Sequence, residues 1–244
     1  MLSDLGRSFA TPEAAVAALD AYVRGYDYTS RQVEDGWELH LPHRPPLTWP
    51  GRRGAGQTRK FGASTQLYEP VVTALLDFAL DHGTVRTFYD VGASFGYFCF
   101  VASARDDMAI TSHAFEMLPS YKAATEAMVA SQGLGERVRV NQTGLSDVYR
   151  GEKDIWFSIS KMFEEEPKPE DYRDSFFVRL KMRLKGKAER DRPVRSRVTI
   201  DTIDHYGAAN GVVPDVIKID VDGYEAKVLP GAMETLRDHR PVLL

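Results

Sequence analysis

Two stretches of this sequence carry chemistry-bearing residues at telling spacings. In the first, Asp90-Val91-Gly92-Ala93-Ser94-Phe95-Gly96-Tyr97, an acid precedes two glycines separated by three residues, after the β-rich run Thr87-Phe88-Tyr89. A strand that enters a glycine turn and opens a helix makes a binding site at its carboxyl end: glycine permits close backbone approach, and the first helical N–H groups are free. The middle glycine of a dinucleotide-binding turn is missing, and no lysine follows as in a phosphate-binding loop. An acid before the first glycine suits a cationic ligand group. Glu116 follows a second apolar run, residues 109–115. A carboxylate at such a strand end can accept both hydroxyls of a ribose. An adenosine with a cationic tail, S-adenosylmethionine, is the ligand these features describe.

The second stretch is Val216-Ile217-Lys218-Ile219-Asp220-Val221-Asp222-Gly223-Tyr224-Glu225. Strand alternation predicts Lys218, Asp220 and Asp222 on one face. A charged face on a buried parallel strand needs partners, so Lys218 is expected to pair with Asp90 or Asp220 and order the pocket. A hydroxyl attacking a methyl sulfonium must approach in line and lose its proton, which calls for a base. Asp220 or Asp222 is the expected base. Glu225 is a weaker candidate, since a helix-N-terminal charge explains it equally well. These acids could also hold a divalent metal, because hard cations take carboxylates, although no metal-ligand spacing shows a site. His113 and Cys99 read as core residues.

The elements that must position these residues follow from local patterns. Thr11-Pro12-Glu13 reads as a helix start, with Val16, Leu19, Tyr22 and Val23 on one stripe as far as Gly25. Residues 31–41 alternate weakly as a short hairpin, and the four prolines of residues 42–50 predict a loop continuing through Gly51 to Gly56. A second helix is expected over residues 66–82, with Val71, Leu75 and Phe78 inward and Val72, Leu76 and Leu80 widening the apolar face. Strands at residues 87–91, 109–115, 138–140 and 216–221 alternate with helices at 97–103, 119–132 and 224–237. That is the pattern of a parallel sheet with right-handed crossovers. The expected organisation is an N-terminal helical and loop extension over residues 1–84, as a cap or acceptor side. A Rossmann-like α/β domain over residues 85–244, with helices on both sheet faces, follows it.

The sequence resembles the FkbM-type S-adenosylmethionine-dependent methyltransferases. The likeness runs from Tyr68-Glu69-Pro70 through the Asp90 turn, Ala114-Phe115-Glu116, Gly144-Leu145-Ser146-Asp147 and Thr199-Ile200-Asp201-Thr202-Ile203-Asp204. It is most specific in the block from Asp215 to Glu225, followed by Val228-Leu229 and Gly231. The resemblance implies a class I methyltransferase fold and O-methylation of hydroxyls on sugars, glycans or polyketide-type metabolites. It makes Asp90, Gly92, Ala93, Ser94, Gly96 and Tyr97 cofactor contacts, with Asp90, Gly92 and Gly96 at the methionine end. Glu116 would hold the ribose beside Met117, and Gly144 and Leu145 would lie near the adenine. Asp220, Asp222, Glu225 and Lys218 form the catalytic set. Met117, Ser94 and Asp222 stand where that family usually has proline, asparagine and glutamate.

An insertion over about residues 149–197 holds an acidic run (Glu164-Glu165-Glu166, Glu170, Asp171). Residues 179–197 then carry nine basic and two acidic residues, net +7. Its flanks, residues 155–160 and 197–203, look like an added antiparallel pair. A solvated charge run is the plain reading; a lid over an anionic acceptor and a contact with an acidic membrane surface are the sharper ones. The 244 residues have a formal net charge of −4, so no global basic excess points to nucleic acid. One cysteine excludes a disulfide framework and fits a reducing compartment. No signal peptide or membrane span is evident, so a cytoplasmic protein is expected. The competing functions are nucleic-acid methylation and a non-catalytic S-adenosylmethionine-binding module; an NAD-dependent oxidoreductase is disfavoured by the glycine spacing. Pro241-Val242-Leu243-Leu244 reads as a fifth strand just beginning. Such an incomplete edge predicts a further C-terminal segment or a homo-oligomer.

Overall fold

A computed structural model describes residues 9–34, 36–50, 68–157, 162–168 and 193–244. Helix α1 (Pro12–Arg24) starts as its sequence dictates: the Thr11 hydroxyl accepts from the Ala14 N–H at 3.2 Å, and Gly25 closes it. Of its apolar stripe, Leu19, Tyr22 and Val23 are half-buried, whereas Val16 is 66% exposed and no α1 residue is fully buried. The hairpin forms from β1 (Thr29–Val33) and β2 (Gly36–His40). The proline-rich stretch is not all loop, since β3 (Leu47–Pro50) pairs antiparallel with β2. Pro50 ends an edge strand, where a missing N–H costs no ladder bond.

Helix α2 runs from Pro70 to His82, and of the expected inward residues Val71 instead faces out, 55% exposed. Leu39 and Leu47, paired across the small sheet, share one apolar core with Leu76, Leu80 and Phe88. Charge also joins the two parts. Arg44 donates to Asp77 on α2 at 3.0 Å, and Arg105 to Asp81 at 2.5 Å. Tyr26 and Tyr22 donate to the same two carboxylates.

The central sheet is built from β4 (Thr87–Val91), α3 (Tyr97–Ser103), β5 (Thr111–Phe115), α4 (Pro119–Ser131) and β6 (Val138–Asn141). A smaller sheet follows from β7 (Thr143–Leu145), β8 (Gly151–Phe157), β9 (Met162–Phe163) and β10 (Val194–Asp201). The chain then returns through α5 (Ile203–Asn210), β11 (Val216–Ile219), α6 (Glu225–Val228), α7 (Met233–Asp238) and β12 (Val242–Leu243). The central order is β12-β11-β4-β5-β6, all parallel. Strand order reverses between β4 and β11, and ligands of such sheets bind at the carboxyl ends beside that reversal. Phe88, Ala114 and Val216 pack on one side with α2 and α3; Tyr89, Phe115 and Ile217 pack on the other with Ile203, Tyr206 and Val228. This is a Rossmann-like doubly wound sheet.

Two local expectations give way. The single helix over residues 224–237 is broken into α6, a 3-10 turn (Leu229–Ala232) and α7, because Pro230 supplies no N–H. The inserted pair forms with a shifted register, Val194 opposite Phe157 and Ile200 opposite Gly151. Its basic stretch from Arg179 to Arg192 lies outside the described residues.

Candidate active site

A cavity of about 720 Å³ opens over the carboxyl ends of β4, β5 and β11. That is within the roughly 300–1,000 Å³ usual for small-molecule sites. The parallel register sets Lys218 beside Asp90. The Lys218 Nζ lies 3.4 Å from Asp90 Oδ1 and 3.6 Å from Asp220 Oδ2, donates to the Gly92 carbonyl at 3.4 Å, and sits over the Phe98 ring. Burial works against its charge, yet Asp90 and Asp220 hold its pKa above the ordinary lysine value, so the ammonium is the resident form. Lys218 and Asp220 are on the cavity wall. Asp90, fully buried, is behind it, with Cys99 donating to it at 3.7 Å.

The glycine turn is shaped by its own packing. Gly92 (φ 79°) has no room for a side chain because a Cβ would collide with the Asp220 carbonyl; at Gly96 (φ 76°) it would meet Thr125. Gly92 and Ala93 both donate to the Phe115 carbonyl, at 3.0 and 3.1 Å. These N–H groups are therefore committed to the strand next door. Gly92, Ala93, Ser94 and Tyr97 face the cavity, while Gly96 lies off its wall.

Glu116 ends β5 on the wall, 8% exposed. Its Oε2 accepts from the Ser94 N–H at 2.9 Å and Oε1 from Leu118 at 2.8 Å. Burial nevertheless pushes its carboxyl above the usual range, against the pull of those backbone donors. Met117, Gly144 and Leu145 continue the wall, and Gly144 has no side chain because Met117 fills that space.

The three acids after β11 have different surroundings. The strand ends at Ile219, so strict alternation does not reach Asp222, whose φ of 53° begins a turn completed by Gly223. Asp220 faces Lys218. Glu225 lies off the cavity wall, and its Oε1 accepts from Val221 at 3.0 Å and Gly223 at 3.2 Å. Its own backbone N–H first, and then those of Val221 and Gly223, hold its pKa below the ordinary value. Asp222 is on the wall and makes no hydrogen bond or ion pair with any described residue.

Sequence reasoning did not single out Arg150, Lys153 or Phe157, which also line the cavity. Their signal was the alternation Lys153-Ile155-Phe157, hidden inside a stretch that reads as a charged insertion. Among the described residues no group of three or more His, Cys, Asp or Glu is placed to hold a metal ion. No described helix is long and apolar enough to cross a membrane.

Comparison with known proteins adds the following. No curated protein matches the chain. One solved structure it is similar to is a geranyl diphosphate methyltransferase in complex with S-adenosylmethionine, at 14% identity and a TM-score of 0.27. That match covers 76% of this chain and 81% of the other. The profile of the methyltransferase FkbM domain matches residues 90–244. That span starts at the buried acid beside Lys218 and takes in Glu116, the inserted sheet and the acidic turn after β11. The chain therefore belongs to the FkbM methyltransferase domain family, whose cofactor is S-adenosylmethionine.

Proposed function

We propose that this S-adenosylmethionine-dependent methyltransferase methylates a hydroxyl oxygen on a sugar, glycan or glycosylated metabolite. The observation that carries the reading is the carboxylate of Asp222 on the cavity wall, which is engaged by no described residue. The donor set fits the cofactor: Glu116 is a strand-end carboxylate for ribose hydroxyls, and Met117, Gly144 and Leu145 supply a small, partly apolar surface for the adenine. Gly92, Ala93, Ser94 and Tyr97 would border the methionine end, with Asp90 acting from behind through Lys218. When bound, the cofactor supplies a methyl group activated on a sulfonium centre.

The remaining steps belong to the chain's own residues. Tyr68 and Tyr224 on the wall offer rings against which a sugar can lay its C–H face. Tyr68 precedes α2, which favours an acceptor-side role for the N-terminal extension. An alcohol becomes nucleophilic as it gives up its proton, and the Asp222 carboxylate takes that proton as the new oxygen–carbon bond forms. Asp220 is engaged with Lys218, and Glu225 with two backbone N–H groups, so both act by holding the turn that presents Asp222.

Labelled methyl transfer from S-adenosylmethionine into cell-extract fractions, with glycan, lipid and RNA counted separately, tests the proposal. Label in saccharide hydroxyls is expected. Label confined to the RNA fraction, or in glycan and lipid without any saccharide hydroxyl methylated, overturns it.

A further inference from the structure

The inserted sheet has two unlike faces. On the outer one, charges are matched: Asp154 pairs with Arg195 and, at 3.7 Å, with Arg197, which is also 3.9 Å from Glu152. On the inner one, Lys153, Ile155 and Phe157 alternate along β8 into the cavity, and Ile155 and Phe157 pack on Met117 and Leu118. Lys153 has no ionic or hydrogen-bonding partner among the described residues. Arg150, one residue before the same strand, also lines the cavity. Its partner is Glu164, at 3.3 and 3.5 Å, in a pair whose side chains are 41% and 62% exposed. A loose, exposed pair of this kind is easily exchanged for a better one.

This cationic edge is linked to the segment that follows Asp222. Between β7 and β8, Asp147 pairs with Lys227 of α6 at 3.2 Å, and the Ser146 carbonyl occupies the space a side chain at Gly231, in the 3-10 turn, would need. Two cations, one without a partner among the described residues and one weakly engaged, therefore overlook the same cavity as Asp222 and Tyr224.

We propose that Arg150 and Lys153 form a subsite for an oxyanion carried by the acceptor, a phosphate ester or a carboxylate, with Glu164 occupying Arg150 until the acceptor arrives. This rests on the hydroxyl-methylation reading and narrows its substrate class to anionic sugars. Arg150 provides a planar fork and Lys153 a point charge, a combination that holds phosphate or carboxylate oxygens by charge-assisted hydrogen bonds.

Glucose, glucose 6-phosphate and glucuronate, titrated calorimetrically into the full chain saturated with cofactor, test the subsite without any need for turnover. At least about a tenfold preference for one or both anionic probes over glucose is expected, and which one wins identifies the oxyanion. The Arg150→Ala/Lys153→Ala variant should lose that preference while keeping its S-adenosylmethionine affinity. Glu164→Gln, which removes the internal competitor, should tighten anionic-probe binding by about threefold, a gain that a merely structural role would not give. Equal binding of all three sugars, or an anion preference surviving in the double variant, overturns the subsite. Failure of methyl transfer to any hydroxyl, with probe binding as expected, would instead count against the functional reading alone.

Discussion

The Lys218 ammonium and the Asp90 carboxylate lie side by side on adjacent parallel strands, 3.4 Å apart, and only the lysine reaches the cavity. Asp90 therefore acts on the site through its neighbour. Lys218→Met leaves Asp90 buried without its counter-ion and should cost about 3–5 kcal/mol of unfolding free energy. Adding Asp90→Asn removes the stranded charge, so the double variant should recover most of that loss in denaturant titrations. A double variant no more stable than Lys218→Met would show that the two do not act as a pair.

Glu225 is expected to be a positioning residue. Glu225→Gln keeps a side-chain oxygen that can accept from Val221 and Gly223, so methyl transfer should stay within about threefold of wild type, whereas Glu225→Ala should lose more. Measured rates for the two variants separate this role from general base catalysis, which the amide could not perform.

Glu116 should make cofactor affinity depend on pH. In the proposed ribose-holding role the carboxylate is the form that would accept from the hydroxyls, and burial raises its pKa above the ordinary 4.5. As pH falls, S-adenosylmethionine binding should weaken earlier than an exposed glutamate would allow, and the Glu116→Gln variant should bind weakly with no such limb. Calorimetry across the acid range checks both.

The sequence reads well where residue type alone decides. Thr11 and Pro12 start a helix with few constraints from elsewhere, and the β-branched run before Lys218 can hardly be anything but a buried strand. The Lys218–Asp90 pairing was legible because a charge inside such a strand must find a partner. Where neighbours decide, the reading fails. The prolines around Leu47 hid an edge strand that exists because Leu39 needs a partner, and the apolar stripe of the second helix placed Val71 inward without knowing what covers it. At Gly92 and Gly96 the residue type was right and the reason was different, since the crowding comes from Asp220 and Thr125. Arg150 and Lys153 were out of reach because nothing local shows which face of an inserted strand turns to a cavity.

His113, 1% exposed, shares a hydrogen bond of 2.8 Å with the Tyr206 hydroxyl. Burial, with Arg139 nearby, lowers its pKa from 6.5 to about 4. Above pH 6.5 the imidazole is neutral in both folded and unfolded chains. Below it the unfolded chain takes up a proton that the folded one refuses, so stability is lost as pH falls towards 4, by roughly 3 kcal/mol in all. Unfolding titrations of His113→Gln over this window should show that part of the slope removed.

In the proposed reaction Asp222 takes the proton of an acceptor hydroxyl during methyl transfer. Single-turnover transfer of labelled methyl into the glycan fraction, by wild type and Asp222→Asn, with cofactor affinity measured in parallel, tests it most directly. The expected result is an alkali-stable methyl ether formed about 10²–10⁴ times more slowly by the variant at unchanged S-adenosylmethionine affinity. Transfer by Asp222→Asn at the wild-type rate would contradict it.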